Sequence, residues 1–302
     1  MALKDIKTKI KATERTHKVT RAMEAVSAVK MRKTQSSALA GRLYARAALS
    51  ILARLSGSND VARHSLANIR KVEKIALVIL TSDKGLAGAL NSSVIKAATE
   101  ALTPYPVEFV TVYAYGKKGE EYFARRGYRI ARAFENKKDI VELSVMEELA
   151  SELACEFSQE TYDEVLVAYS NFKSTFEQVP AVRSLLPLSV ANITQLVKDI
   201  VPVKGKWSDV GVIESPAAYS MEPDGAEVLG SLMPRLVSIS LYHVLLEAKA
   251  SEHSARMVAM KNASDKSKEV AHDLTRLFNK IRQASITREV SEIIGGREAL
   301  AA

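Results

Sequence analysis

The stretch Val270-Ala-His-Asp-Leu-Thr-Arg-Leu-Phe-Asn-Lys-Ile-Arg-Gln-Ala284 sets the architecture. Its apolar residues Val270, Leu274, Leu277, Ile281 and Ala284 step alternately by four and three, the stripe of a coiled coil. A second register follows through Ile286, Val290 and Ile293. The faces between carry Lys268, Glu269, Asp273, Arg276, Lys280, Arg282, Arg288 and Glu289. From Arg235 to Ile294 there is no proline, so the spacing predicts one helix about 90 Å long at 1.5 Å per residue. A helix of that length with one narrow apolar seam requires a partner along it.

The only other candidate lies at the opposite end of the chain. Residues 2 to 56 are also free of proline and would span roughly 80 Å as one helix. Leu3, Ile6, Ile10, Thr13, His17 and Thr20 step by three and four, and Leu39, Leu43, Ala47 and Ile51 continue an apolar face. Threonine, histidine and alanine make this a weak seam. The first half is basic, with Lys4, Lys7, Lys9, Lys11, Arg15, Lys18, Arg21, Lys30, Arg32 and Lys33 against only Asp5, Glu14 and Glu24. Gly57 to Asp60 supply turn chemistry that ends it.

Between the helices the period changes. Lys74 to Leu80 reads as a buried strand, and a helix follows the loop Thr81 to Asn91, ending near Leu102 before Pro104 and Pro106. Val107 to Ala114 reads as a strand, Lys117 to Arg126 as a helix, Tyr128 to Phe134 as a strand, Val145 to Glu160 as a helix and Glu164 to Tyr169 as a strand. Such alternation predicts a largely parallel sheet with covering helices. Phe176 to Leu188 is extended, with Pro180 and Pro187 marking a sheet edge or exit. Residues 191 to 223 form a poorly patterned connector holding Trp207. Asp224 and Glu227 have capping-box spacing, and Pro234 is placed to kink the last helix or split off its start. The fold class is therefore α/β, with a long antiparallel coiled coil from the two terminal segments flanking a Rossmann-like α/β domain. The expected divisions are 1–57, 72–205 and 206–302, with the tip of the last helix projecting past its partner's first residue.

Composition narrows the chemistry. The 302 residues are 47% hydrophobic with a net charge of +8, so a buried core and an acidic partner both fit. Cys155 is the single cysteine, so no internal disulfide forms, and its helical neighbours predict a small buried thiol. No run reads as a bilayer span or a targeting segment. His17, His64, His243, His253 and His272 lack metal-ligand spacing, so no metal site is expected. The loop Asp83-Lys-Gly-Leu-Ala-Gly88 sits where phosphate loops sit, but matches neither dinucleotide nor P-loop spacing, and its glycines read as turn residues. No nucleophile motif is present. The residues by themselves read as a non-catalytic mechanical or adaptor protein. They leave open a basic coiled-coil adaptor on nucleic acid and a nucleotide-binding α/β enzyme with helical arms.

Two terminal blocks reach further. Lys18-Val-Thr-Arg-Ala-Met-Glu-Ala-Val-Ser-Ala-Val-Lys-Met-Arg-Lys33 and Arg282-Gln-Ala-Ser-Ile-Thr-Arg-Glu-Val-Ser-Glu-Ile-Ile-Gly-Gly296 resemble the helix signatures of F-type ATP synthase gamma subunits. Thr81 to Asn91, Gln178 to Pro180, Leu185 to Leu188, Glu222 to Asp224 and Ser251 to Ala263 resemble that family's intervening blocks, in its order. The resemblance implies a rotating shaft with no cofactor of its own, turning inside a ring of alternating alpha and beta subunits. It also implies an α/β domain beside the epsilon subunit and the membrane c-ring. It places Met23, Lys30, Arg32, Lys33, Arg282, Gln283, Thr287 and Glu292 against beta subunits. It places Arg42, Tyr44, Tyr219 and Glu222 near the c-ring and epsilon. The implied location is peripheral, on the cytoplasmic face of a bacterial plasma membrane, with no nucleic acid partner and no membrane span. Ala87, Leu43 and Met221 depart from the family's usual cysteine, proline and aromatic residue.

Overall fold

Strand β1 (Ile75–Leu80) is buried on both faces, as its unbroken apolar run requires. The computed structural model describes residues 3–55, 64–136, 143–188 and 225–301, with side chains of the first helix described as far as Ser37. Around β1 the order is α1 (Leu3–Leu55), a 3-10 turn (Ser65–Ala67), β1, α2 (Leu90–Leu102), β2 (Val110–Tyr115), α3 (Lys117–Ala124), β3 (Arg129–Phe134), α4 (Leu143–Ser158), β4 (Glu164–Phe172), β5 (Gln178–Leu186) and α5 (Gly225–Ala301). The connector with Trp207, the turn at residues 57–60 and the capping residue Asp224 lie outside the described residues.

The five strands lie in the order β3-β2-β1-β4-β5. β1 pairs in parallel with β2 and β4, and β2 with β3, while β5 joins antiparallel to β4. Pro180 falls within β5, an edge strand, where its missing N–H costs no ladder bond on the open side. At the other edge, Arg132 of β3 is held by Glu148 and Glu152 of α4 at 2.9 and 2.7 Å. A charged side chain on an edge strand discourages pairing with another strand. The expected start of the second strand at Val107 is instead a 3-10 turn over Val107–Phe109, following Pro106.

The two sheet faces have separate cores. Ile75, Leu77 and Ile79 pack with Val94, Ala98 and Leu102 of α2 and Phe123 of α3. Ala76, Val78 and Leu80 pack with Met146, Leu149, Leu153 and Phe157 of α4. Tyr113 belongs to that second core. Burial pushes its phenol well above the ordinary value, and the hydroxyl donates to Glu156 Oε2 at 2.6 Å.

The same core takes in Leu229, Met233, Leu236, Val237, Leu241, Val244, Leu245 and Leu246 from the first part of α5. The sequence reading assigns both long helices to each other. This part of α5 instead packs on the sheet, because its apolar face is broad and each buried Leu, Val or Met contributes about 1.5–3 kcal/mol. Compactness therefore divides the chain inside both long helices, into Ala28–Ala255 and the pair Met1–Ser27 with Arg256–Ala302.

Pro234 does not split α5, which runs 77 residues with the proline inside. Buried neighbours Leu229, Met233, Leu236 and Val237 hold the helix on both sides of it. The carbonyl freed four residues earlier belongs to Gly230, which is exposed to solvent.

The sequence reading finds no run long enough to cross a bilayer. α5 meets that test by length and composition, with a mean hydropathy of 1.4 over its most apolar window. Half of that window is buried in the protein, which accounts for its composition.

Cys155 corrects another expectation, since it is exposed. The buried side of α4 falls on Met146, Leu149, Ala150, Leu153, Ala154 and Phe157, so Cys155 emerges beyond it. Gln159 Nε2 donates to its sulfur at 3.3 Å. A maleimide should modify the native chain at this thiol without denaturant, and mass spectrometry of a native digest checks it.

Candidate functional site

A polar contact joins the two helices of the pair. His17 Nδ1 lies 3.0 Å from both the carbonyl oxygen and Oγ of Ser264. α1 leaves this unit after Ser27 and α5 enters it at Arg256, so the two run antiparallel. The buried residues of this unit mix apolar Ile6 and Met260 with hydroxyls. Thr20, Ser27 and Ser264 are buried, and Thr20 donates to the carbonyls of Thr16 and His17 in its own helix. Such self-satisfied hydroxyls add little grip between helices.

Counting from His17 and Ser264 at 1.5 Å per residue, Leu3 draws level with a point near Phe278. Beyond that level the apolar side chains of α5 are open: Ile286, Val290, Ile293 and Ile294 are 52, 48, 72 and 54% exposed. The seam read from the sequence is covered only in part, for Leu274 and Ile281 are half-buried while Val270, Leu277 and Ala284 are exposed.

Met23, Arg282, Gln283, Thr287 and Glu292 all belong to this helix-pair unit. Met23 is half-buried and the other four are exposed. At roughly 100° per residue, Arg282, Gln283 and Thr287 share one face of α5 with Ile286 and Val290, and Glu292 points away from it. Lys30, Arg32 and Lys33 fall in the other unit. Met31 and Thr34 are buried on α1 there, and Arg32 and Lys33 are exposed on the opposite side with Lys30 half-buried at the shoulder. Arg42 and Tyr44 lie within α1, but their side chains are outside the described residues, as are Tyr219 and Glu222 altogether.

The loop after β1 is closed on itself. Asn91 Oδ1 accepts from the Ser82 amide at 3.0 Å, and Asn91 Nδ2 donates to Ser82 Oγ at 2.8 Å. Ser82 Oγ donates to the Lys84 carbonyl at 2.6 Å, and Asp83 Oδ1 accepts from the Lys117 amide at 3.0 Å. Gly88 takes a left-handed φ of 59° that the turn needs, and Leu86 takes one of 65°. Side chains thus occupy the Ser82 and Lys117 amides.

The carboxyl edge of the sheet is also engaged. In open α/β sheets, ligands enter between strands where the order reverses, here between β1 and β4. α5 crosses that edge with a polar stretch that sequence reading missed. Ser251 Oγ donates to the Ser170 carbonyl of β4 at 2.8 Å, and Ser254 Oγ donates to the Thr175 carbonyl at 2.6 Å. Asn136 Nδ2, just past β3, donates to the Thr81 carbonyl at 2.7 Å and to Glu252 Oε2 at 3.1 Å. The only signal in the sequence is the run of small and charged residues Ser251 to Ser254 inside an otherwise apolar face. Among the described residues no cluster of three or more His, Cys, Asp and Glu is arranged to hold a metal ion.

Comparison with known proteins joins these observations. A family model described as ATP synthase matches residues 2–300. The chain is 36% identical to the ATP synthase gamma chain of Pelotomaculum thermopropionicum, covering 99% of each. It is 38% identical to that of Roseiflexus castenholzii, covering 99% of this chain and 98% of the relative. The fold is that of a chain in the central stalk and c-ring of Tetrahymena thermophila mitochondrial ATP synthase (TM-score 0.61, 24% identity, 82% of this chain, 99% of that one). It is also that of a chain in the OSCP, F1 and c-ring assembly of Euglena gracilis mitochondrial ATP synthase (TM-score 0.63, 19% identity, 99% and 94%). The match of the family model along nearly the whole chain and the full-length relatives agree: the chain belongs to the ATP synthase gamma chain family, a non-catalytic subunit of that complex.

Proposed function

We propose that the chain is the central shaft that couples c-ring rotation to the catalytic cycle of three beta subunits. The observation that carries this reading is the open end of α5, combined with the family membership of the full chain. A shaft must turn within its bearing, so its surface there has to avoid strong fixed pairs. Ile286, Val290, Ile293 and Ile294 offer contact without directional bonding. Arg282, Gln283 and Thr287 flank that strip and would meet the moving loops of beta, with Met23 and Glu292 in the same unit. The exposed Arg32 and Lys33, with Lys30 beside them, would track acidic beta loops, exchanging partners at a small cost per pair. Arg42, Tyr44, Tyr219 and Glu222 belong to the expected foot facing epsilon and the c-ring. The beta subunits carry the chemistry, and gamma biases their conformations by differential contact. The whole-length bacterial relatives support a peripheral place on the cytoplasmic face of a plasma membrane.

Reconstitution tests this. Mixed with alpha and beta subunits of its own organism, the chain should enter a complex with one copy per three alpha and three beta, and ATP hydrolysis should rise. A version ending at Lys280 lacks the open strip and should lose that rise. A chain that stays monomeric and leaves hydrolysis unchanged would overturn the reading.

A further inference from the structure

Resting on the shaft reading, we propose that Asn136, Ser251 and Ser254 are positioning residues of a torsional clamp. They lock α5 to the carboxyl ends of the strands, so that turning the α/β unit turns the helix rather than rolling it in its seat. All of these residues belong to one compact unit, Ala28–Ala255.

The need for a clamp follows from how α5 is seated. Its stretch from Leu229 to Leu246 is held by apolar side chains. That contact is strong but has no preferred direction, so it opposes departure of the helix more than rotation about its axis. Hydrogen bonds weaken steeply when their angle changes, so they resist rotation. In α5 they are gathered one turn past the apolar stretch. Ser251 reaches β4, Ser254 reaches the turn after β4, and Glu252 reaches Asn136. Gln178 Nε2 at the start of β5 donates to Ser254 Oγ at 3.3 Å. Ser251 and Ser254 are fully buried, so no water relieves a broken bond.

Asn136 is the junction. Its amide nitrogen bridges the Thr81 carbonyl, just past β1, and Glu252 of α5. Its backbone carbonyl accepts from Lys249 Nζ at 3.5 Å. Its Oδ1 is buried with no partner among the described residues. A buried carbonyl left bare is costly, and keeping it makes physical sense where the amide's two donated bonds matter. The bonds fall past the ends of β1 and β3 and near the end of β4, so three strands hold the helix at this level.

The test uses the assembled complex with its membrane sector in vesicles. ATP hydrolysis and ATP-driven acidification are measured together, for the parent and for Asn136→Ala with Ser251→Ala. A clamp predicts that the variant hydrolyses at the parental rate but acidifies roughly twofold less or worse per ATP, because a helix that gives way under load lets some hydrolysis events pass without turning the α/β unit. Mere loss of stability would lower both readouts together, by lowering the amount of complex. If the double variant does not assemble, Ser254→Ala, at the margin of the network, is measured in the same way. An unchanged acidification per ATP in a complex that assembles would overturn the clamp while leaving the shaft reading intact. A parent complex that neither hydrolyses nor acidifies would overturn the shaft reading, and the clamp with it.

Discussion

Leu241→Asp should abolish cooperative folding of the α/β unit. Leu241 is fully buried in the core that α5 shares with α4 and the sheet. An ionised carboxylate placed there has no partner, and the cost of several kcal/mol exceeds a large share of the roughly 5–15 kcal/mol that holds a domain. A thermal melt followed by circular dichroism should lose its main transition, or show it lowered by tens of degrees. The control is on the same helix. Ile286 is 52% exposed, so Ile286→Asp should leave the melt within a few degrees of the parent, since surface changes cost about 0.5 kcal/mol or less. Equal effects of the two substitutions would contradict the division of α5 into a core half and a contact half.

Gly116→Ala should produce the second large loss. Gly116 follows β2 at a φ of +105°, and a Cβ there would stand 2.0 Å from the Thr81 carbonyl oxygen. That contact is with backbone, so no side chain can swing aside. The same oxygen accepts from Asn136, and Thr81 Oγ1 bonds the Gly116 carbonyl and the Gly119 amide, so movement spreads to three elements. A cost on the order of 3–4 kcal/mol is expected, above the roughly 1–3 kcal/mol usual for an overpacked core because the clash is with backbone. Gly127 separates sterics from backbone strain. It has a φ of +81° with open space around it, so Gly127→Ala should cost only about 1–2 kcal/mol. Urea midpoints of the two variants test the difference, and similar midpoints would show that the contact at Thr81 is relieved without cost.

These expectations trace a boundary between local and distant information. The strand at Ile75 to Leu80, the helices after it and the parallel order of the sheet were legible because periodicity is a local property of the chain. The proline in β5 likewise announced an edge strand, since a missing N–H has the same meaning wherever it occurs. Family membership was legible too, because seven blocks in order are a linear pattern.

What α5 packs against was not legible. Both halves of it are helical in sequence, and the broader apolar face of its first part does not by itself name the surface that it covers. Leu229 to Leu246 went to the sheet because a broad apolar surface was already waiting there, next to α4. The same competition kept α5 whole through Pro234 and turned Cys155 outward on α4. The network joining Thr81, Asn136, Ser170, Thr175, Ser251, Glu252 and Ser254 draws on residues more than a hundred positions apart. Serines and an asparagine are common in any chain, and only the folded sheet edge gives these a shared place. The sequence alone determined the elements, their order and the family. The tertiary structure alone decided which face of α5 meets the sheet, because burial and hydrogen-bond closure depend on neighbours that the chain brings together only on folding.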